Sequence, residues 1–377
     1  MHFKIFSFLF YTTHAPLKFM NMYFSDIGLT ATQIGTMHGV SQALSLLAFP
    51  LWGLASDYFQ ANKKLLVIGL IGTMLVSLSF LTTQHFVVIG LLLALFSFFQ
   101  RPTNPLADSL LLGHLGKNSE AYGQYRVFGS LGYAMIGPLF GVFMERTSSS
   151  SLFISLAILL GITLVSAIRL PEVKSTVKVN KVGDLRYAIN NRQLLIFMLF
   201  VFLVQLTCRF DGQYFSLYLI ANGGREAMLG TTMTLAAASE LLVLPFSRKV
   251  ISRFSMSQIF LMATCAYGAR WISLALFPIP AVILASHLLH GLSFGLFHVG
   301  SVYYINATIG EQFRSTGQNL YASASSLSSI VGSFIGGIMF DTIGGNNLYF
   351  LSGIIVLVVG VVYSYTIRKS SKVVLTG

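Results

Sequence analysis

Eight charged side chains lie inside stretches otherwise built from Leu, Phe, Val, Ile and Gly: Lys18, Arg101, Asp108, Arg126, Arg209, Asp211, Glu240 and Arg270. Five histidines join them: His14, His38, His287, His290 and His298. Groups of this kind exchange protons and hydrogen-bond polar solutes where bulk water does neither. A lone charge at the centre of a membrane helix costs about 2.5–3.5 kcal/mol on the most lenient scale. Each is therefore expected to face a wet cavity or an opposite charge. Asp108 and Arg126 stand on consecutive apolar segments and are expected to partner each other. A salt bridge that merely pins two helices is the structural alternative for this pair, and for Glu240 with Arg270.

At 100° per residue, His287, His290 and His298 fall within about 80° of one another on one helix, so they are expected to line one face. Histidine titrates near neutral pH, which suits a cavity role in substrate binding or proton transfer; hydrogen bonding between helices is the alternative. A metal site is not expected, because no thiolate or carboxylate stands nearby as a third ligand. Cys208 and Cys265 suggest neither a disulfide nor a metal spacing. No G-x-x-x-x-G-K-[ST] stretch and no nucleophile–base motif is present, so neither an ATP-driven pump nor an enzyme is expected.

The elements that must position these groups follow from composition. Of 377 residues, 54% are hydrophobic and only 10% charged, against about 25% charged in a soluble domain. The fold class expected is an all-α membrane protein. A span needs about 20 apolar residues. Twelve are read, at roughly 3–24, 33–56, 64–82, 86–112, 122–144, 149–169, 194–220, 226–247, 257–277, 280–307, 315–340 and 346–368. A polar, basic stretch divides them six and six. The expected organisation is an N-terminal bundle over 1–169, a cytoplasmic linker over 170–193, a C-terminal bundle over 194–368 and a cytoplasmic tail over 369–377. With both termini cytoplasmic, 17 of the 24 lysines and arginines fall on the cytoplasmic side, two (Arg146 and Arg225) fall outside, and five lie within spans. That asymmetry sets orientation in a cell membrane. It also accounts for the net charge of +12 without a nucleic-acid partner. The partners expected are the lipid bilayer and a small solute.

The halves repeat. Shifted by 195 positions, Tyr23 meets Tyr218, Gly28 meets Gly223, Gly35–Thr36 meets Gly230–Thr231, Pro50 meets Pro245 and Phe59 meets Phe254. Further on, Gly123–Gln124 aligns with Gly317–Gln318, and Gly141 with Gly337. A parallel repeat of six spans implies a pseudo-two-fold axis along the membrane normal and a solute site near mid-bilayer.

The stretch GLASDYFQANKK after the second span resembles the cytoplasmic signature loop of the major facilitator superfamily, with Gly53, Asp57, Lys63 and Lys64 on its pattern. Tyr58 and Gln60 depart from it. Elsewhere, NPLADSLLLGHLGKNSEAYGQYRVFGSLGY, FDGQYF, ELLVLPF, YGARWIS and HLLHGLS resemble the branch that holds the lactose and phenylpropionate permeases. The resemblance covers essentially the whole chain. It implies that Asp108, Arg126, Tyr133 and His290 bind substrate. It also implies that Glu240, Asp211, Arg270 and His290 serve proton coupling, and that Gly53, Asp57, Lys63 and Lys64 form a cytoplasmic gate. Members of the branch are usually monomers. Ser293 stands where lactose permeases place a proton-carrying glutamate, and His287 replaces a lysine, so any proton route must differ.

The function expected is secondary active transport by alternating access, with no cofactor other than a proton as coupling ion. The solute is a sugar or sugar-like molecule; the alternative is an aromatic or other organic acid.

Overall fold

The computed structural model describes residues 1–59, 61–172, 191–308 and 314–374. Of the linker 170–193, residues 173–190 lie outside the described residues, as do residues 375–377 of the tail. The protein is all-helical. Among the described residues, ten helical stretches are long and apolar enough to cross a membrane. The last of them, Thr316–Ile367, holds two spans, because the helix Arg314–Val374 is broken at Gly344, whose φ of +82° only glycine adopts readily. The first span falls short of the length because it is split. Together these make twelve. Large aliphatic side chains such as Leu54, Leu139 and Leu242 stay exposed on the outside of the helices, as a lipid-facing surface requires.

The chain forms two compact units. One comprises Met1–Lys178 with Arg225–Thr234, the other Val179–Gly224 with Leu235–Gly377.

The first unit holds α1 (His2–Thr12), α2 (Met20–Asp26), α3 (Ala31–Phe59), α4 (Asn62–Ser79), α5 (Phe86–Leu115), α6 (Tyr122–Glu145) and α7 (Ser151–Ile168). The break between α1 and α2 has a definite cause. Pro16 lacks an N–H, and its ring would clash with the carbonyl four residues earlier, that of Thr12, which is where α1 ends. Side chains take up a carbonyl beside the break: Thr13 Oγ1 donates to Phe10 O at 2.6 Å, and His14 Nδ1 lies 3.1 Å from the same oxygen. The core is aromatic, with Phe80 stacked on Phe153 at 4.7 Å.

The second unit holds α8 (Arg192–Ala221), α9 (Glu226–Val243), α10 (Ser247–Arg253), α11 (Met256–Leu276), α12 (Pro280–Ser286), α13 (Leu296–Thr308) and α14 (Arg314–Val374). The first part of α9 is grouped with the first unit, where Thr234 Oγ1 donates to Ala134 O at 2.9 Å and Gly230 lies against the Gly137 carbonyl. Its core stacks Phe200 on Tyr363 at 4.0 Å. Between α12 and α13 the chain passes through a 3₁₀ turn (His287–Leu289) and a π segment (Gly291–Gly295).

The two units share contacts as well as sequence. Tyr23 OH donates to Phe80 O at 3.1 Å in the first; Tyr218 OH donates to Leu274 O at 2.5 Å in the second. Tyr23 meets Phe153 edge-on, and Tyr218 meets Tyr349 edge-on. Gly28 and Gly223 both turn with positive φ. The tyrosine has a job. The carbonyl of Leu274 near the end of α11 cannot receive an N–H from four residues on, because Pro278 stands there.

Tyr218→Phe therefore orphans a buried carbonyl. We expect it to lower stability by about 1–3 kcal/mol, read as a lower melting temperature in detergent. Tyr23→Phe is expected to act in the same direction. Unchanged melting in both would show that these hydroxyls do not cap the helix ends.

Candidate functional site

In the first unit the site grows from three helices. Gln100, Asn104 and Asp108 are spaced by four residues and form a polar stripe along α5. Tyr122 and Arg126 stand one turn apart on α6. Tyr11 and His14 come from the end of α1 and the break that follows it. Asp108 Oδ1 accepts a hydrogen bond from Tyr122 OH at 2.8 Å. The Arg126 guanidinium lies over the Tyr11 ring, 3.7 Å from its centroid. Two glycines make that stacking possible. A Cβ on Gly129 would meet the Tyr11 ring, and one on Gly132 would meet the Phe8 carbonyl, so α1 and α6 touch there almost backbone to backbone.

Asp108 and Arg126 line one cavity together with Tyr11, and the space left for a water's centre is about 10 Å³, room for roughly one water. The direct pairing expected from sequence is not found. Among the described residues no salt bridge joins them; each is held by a tyrosine instead. Tyr122, one turn before Arg126, reaches Asp108 first. Tyr133 lies two turns along α6 from Arg126, on the same face, half-buried, and is not among the residues lining this cavity.

His14 extends the polar surface. Its Nδ1 faces the Phe10 carbonyl, which only accepts, so Nδ1 carries the hydrogen. Nε2 then accepts from Asn104 Nδ2 at 3.2 Å. Gln100 Nε2 lies 3.5 Å from the same nitrogen. His38 Nε2 sits 2.8 Å from Asn21 Oδ1.

In the second unit, five side chains from five segments form one continuous chain. Glu240 Oε1 lies 3.0 Å from His290 Nε2. His290 Nδ1 lies 3.0 Å from Arg270 Nη1. Arg270 Nη2 donates to Asp211 Oδ2 at 3.4 Å. Tyr349 OH donates to Asp211 Oδ1 at 2.8 Å. The hydrogens follow from what each group can do. Arginine only donates, so His290 Nδ1 must accept; its Nε2 then carries the hydrogen and donates to Glu240. The imidazole is neutral and bridges a cation to an anion. Arg270 is 2% exposed, Asp211 15%, His290 24% and Glu240 30%, so the chain runs from a dry end to a wetter one. Two carboxylates and one guanidinium leave one negative charge in excess. A single added proton cancels it.

Local packing sets this geometry. Gly291, next to His290, donates its N–H to Ser239 Oγ at 2.9 Å. A Cβ on Gly291 would run into the Ser239 backbone. Glu240 is the next residue, so the glycine contact carries Glu240 to His290.

The histidine face read from ideal helix geometry is corrected. His290, Phe294 and His298 form a column of near-parallel rings, with centroids 5.2 and 5.7 Å apart. His287 is buried against Phe215, at 4.8 Å, with Nδ1 3.0 Å from Ile283 O. The 3₁₀ turn and π segment on either side of His290 replace the regular 100° step. Ser293 is fully buried and donates to the carbonyls of Leu289 and His290.

At the signature loop, α3 runs through Gly53 to Phe59, and α4 begins at Asn62. The Asp57 side chain lies outside the described residues. Among described side chains the junction is pinned by Ser56, which donates to Asn62 Oδ1, and by Asn62 Nδ2, which donates to Ser109 Oγ at 3.0 Å. Lys63 is half-buried and Lys64 exposed.

Sequence reading missed Tyr11, Asn104, Tyr122 and Tyr349. Spacing by four along α5 was an available signal for Asn104. A lone tyrosine in an apolar span carries none.

The sequence profile of the MFS_1 like family matches residues 1–351, and the chain belongs to that family, a group of major facilitator transporters. A maltose permease of Geobacillus stearothermophilus is 26% identical over 346 residues, covering 91% of this chain and 86% of that protein. A probable 3-phenylpropionic acid transporter of Escherichia coli (strain K12) is 27% identical over 306 residues, covering 78% of this chain and 79% of that protein. The crystal structure of the nucleoside transporter NupG superposes with a TM-score of 0.84 at 16% identity, covering 98% of both chains; this likeness concerns the fold.

The glycine contact gives a sharp test of how the second-unit chain is positioned. Gly291→Val is expected to push α9 away and separate Glu240 from His290. Histidine NMR of the labelled protein would then show His290 losing its carboxylate partner. An unchanged His290 signal would show that the pair does not depend on this contact.

Proposed function

We propose that this transporter is a proton-coupled importer of a hydroxylated small solute, a sugar or sugar-like molecule. It works by alternating access in the cell membrane as a monomer, with both termini in the cytoplasm. The observation that carries this reading is the Glu240–His290–Arg270–Asp211–Tyr349 chain.

The chain can hold one proton in two ways. A proton on Glu240 removes the excess negative charge directly. A proton on His290 turns Nδ1 into a donor, which cannot face the Arg270 donor, so Arg270 must release His290 and rely on Asp211. Either event alters the contacts that hold α8, α9 and α11 around this point. Proton binding is thereby linked to helix packing, as coupling requires: proton and solute must favour the same state.

Solute recognition is assigned to the first unit. Asp108 accepts hydroxyl donors, the Arg126 fork donates to hydroxyl oxygens, and Asn104 and Gln100 extend this surface along α5. The Tyr11 and Tyr133 rings offer faces to the apolar side of a sugar ring. His290 serves both solute and proton paths on this reading. Gly53, Asp57, Lys63 and Lys64 form the cytoplasmic gate at the junction of α3 and α4. The maltose permease relative supports the sugar reading. The second reading is an aromatic or other organic acid. It is supported by the phenylpropionic acid relative and by five Lys/Arg against three acids within the spans.

Proteoliposome uptake tests the proposal. With the exterior acidic, the wild type should accumulate its solute, and collapsing the gradient should abolish accumulation. Glu240→Gln should lose accumulation yet retain exchange of solute across the membrane, because exchange needs no net proton release. Accumulation that persists in Glu240→Gln would remove this carboxylate from the proton path.

A second arm addresses the solute. Asp108→Asn and Arg126→Ala should each weaken binding by about 10- to 100-fold, the size expected for a lost charged hydrogen bond. Near wild-type binding in either variant would refute the assignment.

A further inference from the structure

Three histidines share the span Pro280–Thr308, and the chain from Glu240 to Tyr349 uses only His290. Their hydrogen-bond partners decide which of them can change charge. His287 is buried, with Nδ1 at the Ile283 carbonyl and its ring against Phe215. His290 is fixed between Glu240 and Arg270. Arg270 only donates, so a proton on His290 Nδ1 breaks the chain. His298 differs on both counts. It is exposed, and its Nδ1 lies 3.4 Å from Tyr321 OH. A hydroxyl both donates and accepts. Tyr321 gives its hydrogen to a neutral His298 and receives one from a charged His298, so Nδ1 keeps its bond in either state. Gln205 Nε2 donates to the same hydroxyl at 3.4 Å, which holds it in place.

The position of His298 suits a proton that has come from Glu240. Glu240, His290, His298, Tyr321 and Gln205 all lie in the second unit. His298 follows His290 by eight residues on one side of the helix, with the Phe294 ring stacked between them at 5.2 and 5.7 Å. The Glu240 carboxylate, on α9, lies within electrostatic reach of His298. From α14 the titratable group facing His298 is Tyr321, and Arg209 of α8 lies within electrostatic reach of Tyr321. With both termini cytoplasmic, as proposed above, this span runs inward from Pro280. His298 then stands about two turns nearer the cytoplasm than His290. Phe294 is half-buried and carries no proton, so loading and release stay separate steps.

We propose that His298 is the release station for the transported proton. The O–H bond of protonated Glu240 breaks, an N–H bond forms on His298 by way of water that passes Phe294, and a carboxylate and an imidazolium result. Their attraction stabilises this intermediate. The imidazolium then gives its proton to cytoplasmic water and returns to the neutral form. The inference rests on the reading of Glu240 as the loading site.

The test uses the full-length protein in proteoliposomes with an acidic exterior, with maltose and 3-phenylpropionate as probes. His298→Gln retains a hydrogen-bonding side chain that cannot carry a proton. It should slow net uptake by about 100-fold, the low end for loss of a positioned proton-transfer group. It should leave solute exchange intact, and it should leave the infrared carboxylic acid band of Glu240 in place. Those two readouts separate lost release from misfolding and from lost loading. Net uptake at the wild-type rate in His298→Gln would overturn the inference and leave the Glu240 assignment standing. Loss of exchange or of the infrared band would make His298 a structural or a loading group, and would also overturn it. A wild type that accumulates neither probe removes the proton reading and this inference with it. Should His298→Gln fail to fold, histidine NMR of the labelled wild-type protein decides the matter. His298 should become charged as the pH falls, and a ring that stays neutral down to about pH 5 would overturn the proposal.

Discussion

Arg270 is a guanidinium almost wholly removed from solvent, and the second unit is organised around supplying its two terminal nitrogens with acceptors, while its Nε is buried without a hydrogen-bond partner. A charge in that position is tolerable only when its donors meet acceptors held at fixed places. The protein supplies one carboxylate directly and reaches a second through an imidazole. This arrangement constrains everything near it. Asp211 is further held by Tyr349, whose ring meets Tyr218, the tyrosine that caps the end of α11. Glu240 is carried in by the backbone contact at Gly291. The element that positions His290 is itself irregular, a 3₁₀ turn followed by a π segment. Such segments place a side chain where a regular helix would not.

The same scaffold, repeated, carries different chemistry in each half. Tyr23 and Tyr218 cap equivalent helix ends and pack against equivalent aromatic positions. The first unit then breaks its opening span at Pro16 and gains a polar surface from Tyr11 and His14, whereas α8, the corresponding span, runs unbroken for 30 residues. One unit keeps Asp108 and Arg126 apart, each beside a tyrosine and around a common cavity, leaving groups able to bond a solute. The other ties its acids and arginine into one continuous chain. On the reading proposed here, the first unit supplies most of the solute-binding groups and the second handles the proton, with His290 serving both.

Much of this was legible in the residue string. Apolar runs and the polar linker indicated twelve spans, and the offset of 195 foretold contacts that recur in both units. Of the eight intramembrane charges, Asp108 and Arg126 line one cavity, and Asp211, Glu240 and Arg270 join one hydrogen-bonded chain. What sequence could not supply was partner choice. Tyr122 reaches Asp108 because it stands one turn before Arg126, a distinction that depends on how α5 and α6 face each other. The split of His287 from His290 was hidden for another reason. A π segment is one extra residue in a turn, and no residue type announces it. Pro16 did carry its signal, since a proline thirteen residues into an apolar run ends a helix, yet the run was long enough to read as one span.

The central claim is that the excess negative charge on the Glu240–His290–Arg270–Asp211 chain is what binds the transported proton. Infrared difference spectroscopy tests it most directly, because a carboxylic acid C=O stretch is well separated from the carboxylate bands. The account predicts that lowering the pH of the reconstituted protein produces a carboxylic acid band that vanishes in Glu240→Gln and persists in Asp108→Asn. A band that survives in Glu240→Gln and disappears in Asp108→Asn would place the proton in the first unit and contradict the account.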